Sequence, residues 1–347
     1  MRWANLLAMD ASNLRIRVLL VGLAAGLAFA AAPPALATLT LTPAGINDGF
    51  TLSTFATIKP GNTGCCEGPF GVTISGSNVI TSYGFAPPSN LAVFADSDGQ
   101  TLASTLFSLP GNGTLAAGMA NAGGVAYGAD PSNSFAFAQY KSDGTIDHDL
   151  TGVPQDANLG MAGAPNGHII ATAGLGQLID IDPLANGGLG SSRIITTSGL
   201  LFDGVAVSSD GKTVYVATGP CVQAIDIASG TFGTCYLSSG GPDGIGVIRG
   251  GAFDGFIVAN VNDGFNNGSI DLIDPLTNTF VTIATGGTRP DYASPDITNG
   301  TLLLDYSDVI VRLGCPGCSF SVPEPASLGL LGMGLAGVAL LWRPRGR

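Results

Sequence analysis

Asp203, Asp243 and Asp291 are the residues of this chain best spaced to act together, because each stands just before or within a short β-type run that recurs along the sequence. If the recurring runs fold side by side, the three carboxylates ring one point. Converging carboxylates can hold a divalent cation or, when unequally protonated, serve acid–base chemistry. Aspartates at such positions also cap the turns that lead into strands, so a cation ring and a repeat-encoded turn are both open readings. The chain has two histidines. His148 lies in Asp147-His-Asp149, and strand alternation is expected to direct it away from both aspartates. His168 follows the Asn166-Gly167 turn and reads as a cap on the strand after it. No histidine pair at metal-ligand spacing and no Gly-x-Ser-x-Gly elbow is present. Asp96-Ser-Asp98-Gly99 opens like a calcium loop but lacks the later ligands, so it reads as a hairpin turn, and the polar insertion from Asn262 to Gly268 is a weak cation candidate. The expectation is therefore no catalytic and no cofactor-binding residues, with a divalent cation on Asp203, Asp243 and Asp291 as the alternative.

Six cysteines in a chain with export signals are expected to pair. Cys221 and Cys235 flank one hairpin, within reach of each other given a modest bulge. Cys65, Cys66, Cys315 and Cys318 allow three pairings. A bridge from Cys65 or Cys66 to Cys315 would staple the two chain ends together, whereas a local Cys315–Cys318 bridge serves if those ends diverge. Four thiolates on zinc is the remaining alternative.

The elements that must position these residues are short strands separated by Gly, Asp and Asn. A first strand begins near Gly71, Ala116, Leu159, Gly204, Gly244 and Tyr292, at intervals of 40 to 48 residues. The unit from Gly204 shows the plan: Gly204-Val-Ala-Val-Ser208, Thr213-Val-Tyr-Val-Ala-Thr218, Val222-Gln-Ala-Ile-Asp-Ile227 and Gly233-Thr-Cys-Tyr-Leu-Ser238. The last unit runs through Thr301–Tyr306 and Asp308–Leu313 and then has no fourth strand. Phe50–Ile58 is a spare strand at the other end, and pairing it with the last unit closes a ring and hides the sheet edges. The predicted fold is an all-β, six-bladed β-propeller closed by an N-terminal strand. A β-sandwich would require the even spacing to be coincidence, and a parallel β-helix would have shorter rungs. The third strands that end in Ile-Asp-Ile or Ile-Asp-Pro before a turn resemble YVTN/NHL-type β-propeller repeats over about residues 70 to 313. The resemblance implies the fold and carries no catalytic residues. Lactonases and lyases with six blades place acidic, Asn and His ligands around the channel, so a metal-dependent enzyme of that kind is the alternative function.

Asp10 is the one acid, and six arginines are the bases, outside residues 38–325, which leaves 24 acids against 7 bases there, net −17. Nucleic acid is thereby excluded as a partner, since phosphate binding needs clustered Lys and Arg. Of 25 acids 23 are Asp, and 52 glycines accompany them, a composition for turns rather than helices.

Arg15 and Arg17 precede an apolar run from Val18 to Ala32, and Ala35-Leu-Ala37 supplies a signal-peptidase site, so residues 1–37 read as a secretory signal peptide handled by the Sec machinery. At the other end stand Val322-Pro-Glu-Pro325, a 17-residue apolar run from Ala326 to Trp342, and the basic tail with Arg343, Arg345 and Arg347. The run is just long enough for a transmembrane helix, with the tail expected on the cytoplasmic side. This order of parts resembles the PEP-CTERM sorting signal, in which the box (Val322, Pro323, Glu324, Pro325), span and tail are recognised by an exosortase. The resemblance implies export, membrane retention until processing, and delivery to the cell surface or an exopolysaccharide matrix. The domains are then 1–37 signal, 38–321 propeller and 322–347 sorting signal, in a protein that acts by binding or as a structural component.

Overall fold

A computed structural model describes residues 38–62, 68–84, 90–111, 118–133, 136–155, 160–173, 176–262 and 267–321. The expected signal peptide with Ala35 and Ala37, the sorting box, the apolar run and basic tail, and Cys65 and Cys66 lie outside the described residues. No helix among the described residues is long and apolar enough to cross a membrane.

The strands form six sheets arranged as blades. Blade 1 is Pro69–Ser75, Asn78–Tyr83, Asn90–Ala95 and Phe107–Leu109; blade 2 is Met119–Ala122, Val125–Ala129, Phe137–Tyr140 and Ile146–Asp149. Blade 3 comprises Met161–Gly163, Ile169–Ala173, Gln177–Asp182 and Ser191–Thr197, and blade 4 Val205–Val207, Thr213–Thr218, Cys221–Asp226 and Phe232–Tyr236. In blade 5, Gly241–Val247, Ile257–Asn262, Gly268–Asp274 and Thr279–Gly287 gain a fifth, outer strand, Thr40–Leu41. Blade 6 takes Pro290–Pro295, Leu302–Tyr306 and Val309–Gly314 from the end of the propeller and Thr51–Thr57 from its start. Each first strand touches the first strands of both neighbours, and Pro290–Pro295 lies against Pro69–Ser75, so the ring closes.

Alternation builds the core. In Ile169–Ala173 every residue is buried: Ile169 and Ala171 pack toward blade 2 while Ile170 packs toward blade 4. Middle strands are therefore apolar on both faces. Six apolar clusters result, one for each interface between blades. Fully burying one such Ile, Val or Leu contributes about 1.5–3 kcal/mol. Aspartate punctuates the repeat: Asp182, Asp226 and Asp274 end third strands, and their Oδ1 atoms accept from the N–H of Leu184 (3.0 Å), Ser229 (2.7 Å) and Leu276 (2.8 Å). These are Asx turns that reverse the chain into the fourth strand.

Ring closure follows the predicted pairing, antiparallel with Leu52 opposite Leu313 and Thr57 opposite Val309. A one-turn helix, Pro43–Asn47, carries the chain from the outer edge of blade 5 to blade 6. It is started by Pro43 and by the Thr42 hydroxyl, which accepts from Gly45 N. Two further closures were not read from the sequence. Gln100–Thr101 pairs in parallel with the outer side of Thr51–Thr57. Arg312, on the strand that receives Thr51–Thr57, binds Asp96 and Asp296 and donates from Nε to Asp98 at 2.9 Å, with its guanidinium 5.1 Å from the Phe55 ring centre. The Asp96–Gly99 turn thus ties blade 1 over the closing strand.

Cys221 and Cys235 form the expected disulfide, a diagonal link across the hairpin in which Cys235 stands opposite Gln223, with Cα atoms 5.7 Å apart. Cys315 and Cys318 stand side by side with Cα atoms 5.6 Å apart, the local pairing among those the sequence leaves open.

Candidate functional site

First strands all run from one end of the channel, here called its front mouth, toward its back end. At the front of blades 5 and 6 the same sequence device recurs: Pro242-Asp-Gly244 and Pro290-Asp-Tyr292, matched by Pro69-Phe-Gly71 in blade 1. In each, the residue pairing breaks just after the proline, between Pro242 and Ile245, Pro290 and Ala293, and Pro69 and Gly71. Proline has no N–H for the ladder, and a bulge beside it re-aims the next side chain. Asp243 and Asp291 occupy that re-aimed position. Asp203 stands at the equivalent point before Val205–Val207, its N–H bonded to Ala217 O at 3.0 Å.

Glycine brings the three aspartates together. A Cβ at Gly160 would strike the carbonyl oxygen of Asp203, and one at Gly204 would strike that of Asp243. At these two positions glycine lets the next blade's aspartate backbone approach closely.

The structure brings Asp203, Asp243 and Asp291 into one electrostatic cluster and adds two members, Asp305 and Arg289. Burial raises the Asp203 carboxyl, opposed by the charge of Arg289. Asp243 is pushed up to about 8, first by burial and then by the charges of Asp203 and Asp291, again against Arg289. Burial, followed by Asp305, lifts Asp291 well above the ordinary range. Asp305 is fully buried and raised to about 7 by that burial, although its carboxylate accepts the Tyr292 N–H that the bulge releases. Its Oδ2 has no partner among the described residues, nor has the buried Nε of Arg289. Arg289 reaches Asp291 only at 3.8 Å. Among the described residues none of the Asp203, Asp243 and Asp291 carboxylates accepts a backbone hydrogen bond, which separates them from the turn-making aspartates.

Like charges this close do not all ionise together. With Asp243 pushed up to about 8, the mouth is able to keep a protonated carboxyl near neutral pH, a group that both donates and accepts hydrogen bonds. Among the described residues no group of three or more His, Cys, Asp or Glu side chains stands close enough to hold a metal ion, and the Arg289 guanidinium supplies positive charge to the cluster. Behind the acids Tyr292 spans the channel. Its hydroxyl donates toward the carbonyls of Met119, at 2.7 Å, and Met161, and accepts from Met161 N at 2.8 Å, linking blade 6 to blades 2 and 3.

The other sequence candidates lie away from the mouth. His148 does not turn from its neighbours: Nδ1 meets Asp147 Oδ2 at 2.9 Å and Nε2 meets Gly188 O at 2.9 Å. An outermost strand leaves room for the ring to curl back to the adjacent carboxylate, which alternation alone does not forbid. The bond to Gly188, then Asp147, raises its pKa, and it joins blade 2 to blade 3. His168 bonds Asp180, which also holds Arg193, within blade 3. Residues 263–266 of the polar insertion are outside the described residues. Asp305 and Arg289 were missed from sequence. The signal for Asp305 was a charge inside the otherwise apolar Leu302–Tyr306, since a lone acid in a fully buried strand is rare.

Residues 321–346 match the PEP-CTERM protein-sorting motif. No curated relative matches the sequence. Among solved structures, a protein described as a gluconolactonase aligns with a TM-score of 0.56 at 13% identity, over 82% of this chain and 100% of its own. An inactivated virginiamycin B lyase from Staphylococcus aureus, solved with quinupristin, gives 0.49 at 16% over 76% and 99%, and a streptogramin B lyase gives 0.46 at 13% over 77% and 98%. At these identities the gluconolactonase likeness speaks to the fold alone, which is the six-bladed propeller already described.

Proposed function

We propose that this PEP-CTERM-sorted propeller works at the cell surface or in the extracellular matrix by binding rather than catalysis, and that its front mouth takes a neutral, hydroxyl-rich ligand such as a length of exopolysaccharide. The observation that carries this reading is the cluster of Asp203, Asp243, Asp291 and Asp305 around one guanidinium, with Asp243 and Asp305 raised to about 8 and about 7. Carboxyls that keep their protons near pH 7 complement sugar hydroxyls, each of which also donates and accepts. The sorting motif supports export and exosortase-dependent processing as the route to such a ligand. Membrane retention by the segment 326–342, and release from it after processing, belong to the same proposal.

The test is equilibrium binding of the purified protein to exopolysaccharide from the producing cell. Binding should be retained by Asp243→Asn, which keeps a donor and an acceptor, and lost in Asp243→Leu. Equal binding by the wild type and the Leu variant overturns the proposal. Metal-dependent lactone hydrolysis or lyase turnover that disappears in both variants would instead favour the enzyme.

A further inference from the structure

Next to the Tyr292 crossing, among the inner strands of blades 2 to 6, lies a second space that the acidic mouth does not use. It is a cavity of about 30 Å³, lined among others by Asn121, Val207, Val247, Pro295 and Phe320. That volume suits a particle about the size of one or two water molecules. Arg249 is the one charged residue in its lining, and no acid lines it. Its Nη2 donates to Val207 O at 2.8 Å. Its Nε and Nη1 are buried and have no partner among the described residues.

The neighbouring acids are committed elsewhere. Asp254, whose charge acts on Arg249, is exposed and accepts from Gly250 N at 2.7 Å. Asp296 is buried but bound to Arg312. A water in the cavity would satisfy the free N–H groups, whereas an anion would satisfy them and also pair with a partly buried charge whose acidic neighbour, Asp254, is exposed. Guanidinium does not escape by losing its proton.

We propose that this cavity is a site for one small monovalent inorganic anion of halide size, held by Nε and Nη1 of Arg249. The segment that leads out of the propeller borders the cavity. Phe320 is fully buried over the cavity with its N–H on Gly300 O at 2.9 Å, and Ser319 is bridged in both directions to the Arg249 backbone, at 2.7 and 2.9 Å. The anion fixes Arg249, and Arg249 fixes the strap that leads into the sorting motif at residue 321. The channel is then acidic at its front and anion-filled and plugged at its back.

The experiment is unfolding of the purified protein in sodium chloride or bromide against sodium gluconate at matched ionic strength, which holds screening constant. Halide should lower the unfolding equilibrium constant in saturating fashion, about a hundredfold at one hundred times its dissociation constant, while gluconate should not. Arg249→Met should remove the halide increment. Bromide-soaked crystals of the wild type should show an anomalous peak against Arg249, which decides the matter even if the variant fails to fold. Coincident halide and gluconate curves with no peak in the cavity, halide stabilisation that survives Arg249→Met, or bromide bound elsewhere as an adventitious ion only, would each overturn the proposal.

Discussion

Two arginines, Arg312 on blade 6 and Arg289 in the turn that leads into it, each gather several aspartates, and they do so in opposite ways. Arg312 is satisfied: Nε goes to Asp98, Nη2 to Asp96, Nη1 to Asp296 and to Thr301 Oγ1 at 3.0 Å, and the plane lies by Phe55. Arg289 is outnumbered: among the described residues its one ion pair is the 3.8 Å contact with Asp291 and its Nε has no partner, while its charge opposes the raising of Asp203, Asp243 and Asp291. A cluster that only holds the ring together can be completed by its own members. A cluster left short of donors at the rim of a channel has hydrogen-bonding capacity to spare for something else.

The comparison can be broken first at Arg312. Arg312→Met leaves Asp296 fully buried without its cation and releases Asp96 and Asp98 from the closing strand. Stability should fall by about 3–5 kcal/mol, the usual effect of removing one partner of a buried ion pair. Denaturant titration checks it, and a loss under about 1 kcal/mol would place Arg312 among ordinary surface pairs. Tyr292→Phe comes next. It strips the Met161 N–H and two inner-strand carbonyls of their shared partner in a buried site, for an expected loss of about 1–3 kcal/mol.

A different kind of effect separates the clusters by pH. Native Asp243 and Asp305 keep protons that the unfolded chain releases near the ordinary aspartate value of 3.8, so between there and their own values of about 8 and about 7 the native state binds more protons. Stability should therefore fall as pH rises through that window and level off above it. Asp243→Asn should flatten the slope, most visibly between pH 7 and 8. Denaturation midpoints at pH 5, 7 and 9 measure this, and an unchanged slope in the variant would remove Asp243 from the cluster.

Much of the frame was legible in the chain. Recurrent strand spacing and the missing fourth strand after Leu313 were enough to place Thr51–Thr57 against Val309–Gly314, because both signals are local patterns repeated many times. Asp203, Asp243 and Asp291 were legible as corresponding positions for the same reason. Their partners were not. Asp305 lies on a second strand and Arg289 in a turn between blades, and only closure of the ring brings them to the first-strand acids. The pairing of Gln100–Thr101 with the closing strand, and of Asp96 and Asp98 with Arg312, likewise joins residues more than 40 and more than 200 positions apart, for which no short-range pattern exists. The proline bulges were within reach of sequence reasoning, since Pro69-Phe-Gly71, Pro242-Asp-Gly244 and Pro290-Asp-Tyr292 share a spacing that hydrophobic periodicity alone passes over.

The finest test is Arg289→Met, for which the two clusters demand different pH behaviour. At pH 5 Asp243 and Asp305 already hold their protons, and the arginine side chain is 33% exposed with a contact of 3.8 Å, so its loss should change stability by less than about 1 kcal/mol. At pH 9 both carboxyls are ionised in the wild type, and without the guanidinium their mutual repulsion has nothing to offset it, so the variant should be clearly less stable there and should titrate at still higher pH. Arg312→Met, which removes a guanidinium bound directly to three aspartates, should be equally damaging at pH 5 and pH 9. If Arg289→Met also shows one loss at both values, its aspartates are ordinary ion-pair partners and the contrast between the two arginines disappears.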